Sequence, residues 1–428
     1  MMKKRNLVLA AALAAAGLVT VVGGTLAPAV AVAAKKEAAP AANKLGAKIV
    51  PPLKAAQEAM QAKNWDLAAT SVEEARAIEP KTPYEAYMVD EIGWYVSLQK
   101  KDYVGAAAAL ERSVASGFVA PADLPQRHKV LAQLNYQIPN YDKAIQFGTQ
   151  ALEGNPADAD LGVLVGQSYY MKKDNVGTRD FVQKYTAGGA KPNEQLLLLA
   201  LRSNYELKDR PATVQSLESL VRHFPQPKYW EDLLTNQLYQ TKTDRELRAL
   251  YRLFDDTRTL DKADEYSEMA STLITGGYPT EARQVLDRGL AANVFTGEGK
   301  TRAQSDLARA KTGADADAKE LPGADKALAG AKTGNEMVAM GKLFFSVGDY
   351  AKAADAIQKG LAKGGVVDVE DANALLGIAL TRSDKHAEAR AAFDAIKDPK
   401  LVEIAKLWKL YLETETAAAV TAPAAPAG

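Results

Sequence analysis

Residues 68–80 (AATSVEEARAIEP), 144–156 (AIQFGTQALEGNP) and 213–225 (TVQSLESLVRHFP) repeat one pattern three times. A small residue opens each: Ala68, Ala144, Thr213. Val72, Gly148 or Leu217 follows four positions on, then Ala75, Ala151 or Leu220 three later, then Pro80, Pro156 or Pro225. Steps of four and three keep these side chains on one face of a helix, and proline, which has no N–H to donate, ends it. The distance from small residue to proline is 12 in all three.

A second helix lies upstream of each such segment, with an apolar–small pair twelve residues before the small position. Val165-Gly166 precedes Thr178, Met269-Ala270 precedes Ala282, Gly341 precedes Ala353 and Leu376-Gly377 precedes Ala389. Three residues on come Tyr169, Leu273, Phe344 and Leu380. Between the two helices stand turns with a helix-starting Asp: Lys101-Asp102-Tyr103, Gly348-Asp349-Tyr350 and Ser383-Asp384-Lys385.

The unit recurs about every 34 residues and resembles the tetratricopeptide repeat (TPR) family. The resemblance implies an all-α fold, a TPR-type α-solenoid of about ten helix hairpins closed by a C-terminal capping helix. Helix pairs are expected at residues 49–80, 82–118, 123–156, 159–190, 194–225, 228–259, 263–294, 300–332, 335–366 and 370–399. Glycines 166, 341 and 377 let the two helices of a hairpin approach closely against the small residues Ala68, Ala144, Ala282, Ala353 and Ala389. Val72, Leu110, Leu217, Leu286, Ile357 and Phe393 are expected to reach the next hairpin, so that neighbours bury what no unit buries alone. The stretch 300–334 lacks the large apolar positions and reads as a degenerate repeat, a point where the array bends between repeats at 49–299 and 335–413. The last helix, from Leu401 to Glu413 with Trp408 and Tyr411, reads as the cap.

The ends read differently. Met1-Met2-Lys3-Lys4-Arg5-Asn6, an uncharged run from Leu7 to Ala34, and Ala31-Val32-Ala33 form the three parts of a secretory signal peptide over residues 1–34. The expected destination is the periplasm, with no membrane span left after cleavage. Residues 35–48 read as a flexible leader and residues 414–428 as a disordered Ala/Pro tail. The 428-residue chain balances 53 Lys+Arg against 53 Asp+Glu, which speaks against nucleic-acid binding because phosphates demand a basic surplus. It has no cysteine, hence no disulfide, thiol nucleophile or thiolate metal site.

Chemistry is hard to find. Gly297-Glu298-Gly299-Lys300-Thr301 ends like a phosphate loop, but Val294 stands where the first glycine belongs, and a flexible inter-repeat loop is expected. His128, His223 and His386 fall in different repeats. The acidic pairs Glu73-Glu74, Asp90-Glu91 and Asp255-Asp256 read as solvated helix faces. No enzyme, cofactor or metal site is expected. Trp65, Trp94-Tyr95, Tyr169-Tyr170, Tyr229-Trp230 and Trp408 read mainly as packing residues. Solenoids of this kind hold partners on the face lined by the first helix of each repeat. Tyr95, Gln133, Tyr136, Gln167, Tyr170, Asn204, Asn236 and Tyr239 are the candidate groove residues on those helices.

Two longer runs, from Tyr229 (YWEDLLTNQLYQTKTDRELRALYRLFDD) and near the C-terminus (ANALLGIALTRSDKHAEARAAFDAIKDPKLVEIAKLWKLYLETE), resemble periplasmic TPR proteins associated with TonB–ExbB–ExbD systems. That resemblance, over roughly residues 190–413, implies a scaffold supporting TonB-dependent transport, with TonB, ExbB or ExbD components as partners. A general cell-envelope scaffold, for polysaccharide export or outer-membrane biogenesis, is the alternative.

Overall fold

Several hairpins turn through one device: a left-handed residue followed by the cap of the second helix. Lys63, Lys101, Lys173 and Lys208 have φ of 55°, 62°, 61° and 55°, and an Asn or Asp follows every one. Asn64, Asp102 and Asp209 then accept from the amides of Leu67 (3.2 Å), Gly105 (2.9 Å) and Ala212 (3.1 Å), satisfying donors that a helix start leaves open. Asp349 caps likewise through Lys352 N at 3.1 Å. Asp384, expected to start a helix, instead takes the left-handed position (φ 58°), and Lys385 is the residue before the helix.

A computed structural model describes residues 43–189 and 192–421, with side chains as far as 416. The described residues form twenty helices and no strands, an all-α, TPR-type succession of hairpins. The signal peptide, the first part of the leader and residues 422–428 lie outside the described residues. Among the described residues no helix is long and apolar enough to cross a membrane.

The chain divides into two units. Unit 1 holds α1 (Val50–Gln61), α2 (Trp65–Ala77), α3 (Pro83–Gln99), α4 (Tyr103–Ala115), α5 (Leu124–Gln137), α6 (Tyr141–Gly154) and α7 (Ala159–Met171). Unit 2 holds α8 (Asn175–Ala187), α9 (Glu194–Glu206), α10 (Arg210–His223), α11 (Pro227–Leu238), α12 (Asp244–Asp256), α13 (Ala263–Gly276) and α14 (Pro279–Ala291). It continues with α15 (Gly297–Gly330), α16 (Gly334–Ser346), α17 (Tyr350–Lys363), α18 (Val369–Thr381), α19 (His386–Asp394) and α20 (Pro399–Thr421). The pair expected at 159–190 is therefore divided, α7 belonging to unit 1 and α8 to unit 2.

The hairpin seam is built as the spacing requires. Ala68, Ala144, Ala282, Ala353 and Ala389 are all fully buried. A Cβ on Gly377 would come within 2.5 Å of the Phe393 ring, and one on Gly341 within 2.5 Å of Ile357 Cγ1. Ile357 and Phe393 thus fill the glycine gap of their own hairpin, where contact with the next one was expected. Leu376→Ala is expected to cost about 2–5 kcal/mol and Gly377→Leu about 1–3 kcal/mol, read as shifts in chemical-denaturation midpoint at constant slope.

Four differences from the sequence reading have physical causes. Residues 300–332 are one unbroken helix, α15, in place of a hairpin. The segment is rich in strong helix formers, carries the turn signal Pro322-Gly323 inside the helix without ending it, and offers only Ala303, Ala310, Ala314 and Ala324 for burial. Its first turn contains Gly297–Thr301, so the glycine-lysine stretch is helix and not a loop. The end of the leader is fixed: Gly46 N donates to Glu85 Oε1 at 2.8 Å and Ile49 is buried. Residues 414–421, read as the start of the tail, continue α20.

The largest departure lies within unit 2, which is not a simple nearest-neighbour stack. There α12 packs on α18 and α20, and α10 on α20. Trp408 Nε1 donates to Ala249 O at 3.0 Å across 159 residues, and Arg222 Nε reaches Glu413 at 3.1 Å across 191.

Candidate functional site

The first helix of each hairpin offers a face only where its side chains escape the seam. Counting back eight residues from the small or apolar position four after each cap (144, 178, 213, 247) gives Tyr136, Tyr170, Tyr205 and Tyr239. A tyrosine thus recurs at one register, near the C-terminal end of α5, α7, α9 and α11. In unit 1, α5 and α7 lie side by side, and Gln133, Tyr136, Gln167 and Tyr170 are all half-buried on them. Tyr136 packs edge-on to Tyr141, with centroids 5.8 Å apart, and burial raises its hydroxyl pKa. In unit 2 the same position is open: Tyr205 is 49% exposed and Tyr239 72%.

The remaining candidates serve other ends. Tyr95 is edge-on to both Trp65 (6.1 Å) and Trp94 (5.8 Å) and joins the core. Asn204 is only 2% exposed, and its Nδ2 donates to Ala212 O (3.1 Å) and Ser216 Oγ (3.0 Å) across the α9–α10 seam. Asn236 Nδ2 donates to Asp232 O, while its own carbonyl accepts from Arg210 at 2.7 Å. The interval from Thr178 to Thr213 is one residue longer than the 34 separating 144 from 178, and that extra residue shifts the register by one. Tyr205, not Asn204, therefore occupies the outward register, with Arg202 exposed one turn before it. Counting from the second helix of the hairpin was the signal that locates it.

The acidic pairs are not all solvated. Asp90 and Glu91 are buried in α3. Asp90 accepts from Arg76 Nη1 (2.9 Å) and from Arg112 Nε and Nη2 (3.0 and 2.8 Å), tying α2, α3 and α4 together. Glu91 accepts from Ser113 Oγ and from Arg127 Nη2 at 2.8 Å, and Arg127 lies 5.2 Å over the Trp94 ring. Charge enters the interior here only with a partner, as burial demands. Glu73 and Glu74 are exposed as expected.

Unit 2 has a larger polar centre. Arg252 and Glu281, both buried, form a fork at 2.7–3.3 Å, and Arg252 lies 4.4 Å over the Tyr278 ring and 4.5 Å over Phe345. Arg382 donates to Asp256 (2.9 and 3.2 Å) and to the Tyr350 hydroxyl (3.2 Å), and approaches Glu281 at 3.5 Å. Burial pushes Glu281 toward protonation, but Arg252 and Arg382 outweigh it and hold the carboxyl below its ordinary value. For Asp256 burial wins over Arg382, and its pKa rises. A cleft of about 420 Å³ opens beside this centre, with Asp255, Arg288, His386 and Tyr411 on its walls. Arg288 is already bound to Asp255 by two 2.7 Å contacts.

The histidines do not converge. His128 stacks on Phe147 at 5.9 Å in unit 1, and burial lowers its pKa. His223 ends α10 and is lowered in the same sense, by burial and then Arg222. His386 starts α19 and faces Thr416 Oγ1 at 3.4 Å. Among the described residues no three His, Cys, Asp or Glu are placed to hold a metal ion. Trp94, Tyr229, Trp230 and Trp408 are buried, as packing residues should be.

No family model and no curated protein matches the chain. Solved structures similar to it include Naa15/Naa10 bound to HypK-THB, at 15% identity over 89% of this chain and 69% of that one, with a TM-score of 0.36. The TPR2AB domain–pHSP90 complex of yeast Sti1 is similar at 11% identity over 61% and 98%, with a TM-score of 0.34. A tetratricopeptide repeat protein from Parabacteroides merdae is similar at 11% identity over 78% and 100%, with a TM-score of 0.30.

Proposed function

We propose that the protein is a non-enzymatic scaffold that binds a protein partner through the tyrosine register of its first helices. The observation that carries this reading is the exposure of Tyr205 (49%) and Tyr239 (72%) at one repeated position, on helices whose opposite faces are buried. Tyrosine supplies large contact area at low rotamer cost and a hydroxyl for orientation, which suits a binding face. The resemblance of residues 190–413 to TonB-associated periplasmic repeat proteins points to a component of a TonB–ExbB–ExbD system as that partner.

The test is affinity capture from envelope extract with the purified chain and with Tyr205→Ala/Tyr239→Ala. Truncating two hot-spot aromatics, at roughly 1–2 kcal/mol or more each, is expected to weaken binding at least tenfold while leaving the melting temperature unchanged. Equal capture by both forms overturns the assigned face. Capture lacking TonB, ExbB and ExbD peptides overturns the assigned partner.

A further inference from the structure

One repeat position in unit 2 holds a buried amide where its counterparts hold apolar side chains. Counting back nine residues from the position four after each cap gives Tyr169, Asn204, Leu273, Phe344 and Leu380. Leu273, Phe344 and Leu380 are buried, as a seam requires. Asn204 is 2% exposed; its Nδ2 is spent on Ala212 O and Ser216 Oγ, while its Oδ1 accepts from no described residue. An acceptor buried without a donor is unfavourable, so packing alone does not account for this side chain.

A cleft goes with it. Asparagine is smaller than the leucine or phenylalanine of the later hairpins, and over Asn204 about 330 Å³ opens between α8 and α10. That volume lies within the range of ligand pockets, roughly 300–1,000 Å³. Helix α9 supplies the floor with Leu197, Ala200 and Asn204, and the walls carry Gln183, Gln215 and Ser216. From Arg179 to Thr186 the α8 wall is roughly 10 Å long at the helical rise, the span of about three extended residues. Unit 1 has the equivalent cleft, about 360 Å³ between α2 and α4, where Ser97 stands nine before Ala106. Its walls carry Glu73, Arg76 and Arg112, and its lining has no carboxamide.

The lining over Asn204 selects a class of ligand. Its charges are committed to one another: Arg179 Nε donates to Asp180 at 2.8 Å, and Nη1 to Asp209 at 3.4 Å. Among the described residues no aromatic ring lines the cleft, so a ligand that binds by stacking has no platform. What remains is neutral hydrogen bonding. Asn204 Oδ1 is an acceptor without a donor, and Ser216 Oγ, which accepts from Asn204 at 3.0 Å, keeps its O–H to donate. An acceptor beside a donor is the complement of an amide.

We propose that the α8–α10 groove is a second binding site, separate from the tyrosine register, for an extended and uncharged peptide segment of a partner, held by its backbone amides over Asn204 and Ser216.

Saturation-transfer NMR on the full chain tests this, with a blocked five-residue peptide of alternating alanine and serine as the probe. Saturable binding is expected, and at least tenfold weaker binding of the same peptide N-methylated along its backbone and of free glutamine. Asn204→Leu, which installs the side chain of positions 273 and 380, is expected to weaken the peptide at least tenfold without lowering the melting temperature. Should that variant not fold, Ser216→Ala keeps the buried amide and is expected to weaken binding several-fold. Tyr239→Ala, on α11 and outside the groove, is expected to bind the peptide as the wild type does, so a failure of the tyrosine face leaves this site standing. No saturable binding by the wild type, or equal binding of the N-methylated peptide, overturns the proposal. Glutamine binding as tightly as the peptide overturns the assignment to a backbone. Asn204→Leu with a lowered melting temperature and peptide binding kept returns Asn204 to a structural role and overturns the site.

Discussion

Arg252→Ala lowers stability by about 3–5 kcal/mol, because it leaves Glu281 charged and buried without its fork. Both partners are buried, and the guanidinium also lies over Tyr278 and Phe345, contacts that alanine cannot replace. Arg382, shared with Asp256 and 3.5 Å from Glu281, compensates in part. Without Arg252, burial is opposed at Glu281 chiefly by Arg382, so the carboxyl takes up a proton more readily than in the wild type. The deficit is therefore widest at neutral pH and narrows under acid. Wild-type Glu281, held below its ordinary value, gives stability that is present above the unfolded pKa and lost as pH falls through the folded one, and the variant lacks most of that contribution. Arg252→Met/Glu281→Leu, which removes both charges, recovers most of the loss. A double-mutant cycle by denaturant titration at pH 7 and pH 5 measures both the deficit and its pH dependence. A single variant within about 0.5 kcal/mol of wild type, the range typical of surface positions, would show that the pair is solvated.

Trp408→Ala has an effect of similar size, about 3–5 kcal/mol, through the cavity it leaves. The indole is fully buried, stacked on Phe393 and edge-on to Tyr411 at 5.9 Å. Phe393 in turn fills the gap over Gly377. The cavity therefore borders the best-packed part of the C-terminal hairpins, and collapse around it is limited. Trp408→Phe separates the two roles of the side chain. It keeps most of the volume, and it loses the bond to Ala249 O. Its cost is expected near 1–2 kcal/mol, from one buried carbonyl left without a donor and a partial void. Calorimetry of the three proteins orders them as wild type, Trp408→Phe, Trp408→Ala. The same cost for both variants would assign the whole effect to the hydrogen bond.

The hairpins were legible because each rests on local chemistry: a cap, a small residue, a proline, a fixed interval. Ala353 and Ala389 are legible as buried from their spacing, and so is the glycine gap at 377. What the sequence could not show was pairing that skips repeats. Arg245 and Arg248 look like any solvated helix face, and nothing local says that Asp368, Asp371 and Asp398 are their partners. Asp90 and Glu91 were misread for the same reason, since their cations lie 14 to 36 residues away on other helices. The long helix α15 was misread through the period itself, which favours a hairpin wherever 34 residues pass. Among the candidate groove residues, Tyr136, Tyr170 and Tyr239 share one register with Tyr205, which the sequence reading passed over because one inserted residue shifts the count.

The bond from Trp408 to Ala249 also sets a schedule for the growing chain. Repeats that touch only their neighbours can settle one after another as they emerge. α12 cannot, because its partners are encoded up to about 160 residues later. At roughly 5–20 residues per second of synthesis, Arg245 and Arg248 wait on the order of ten to thirty seconds before their carboxylates exist. Unit 1, whose contacts are local, has no such interval. Unit 2 is therefore the part of the chain that a holding chaperone would have reason to meet.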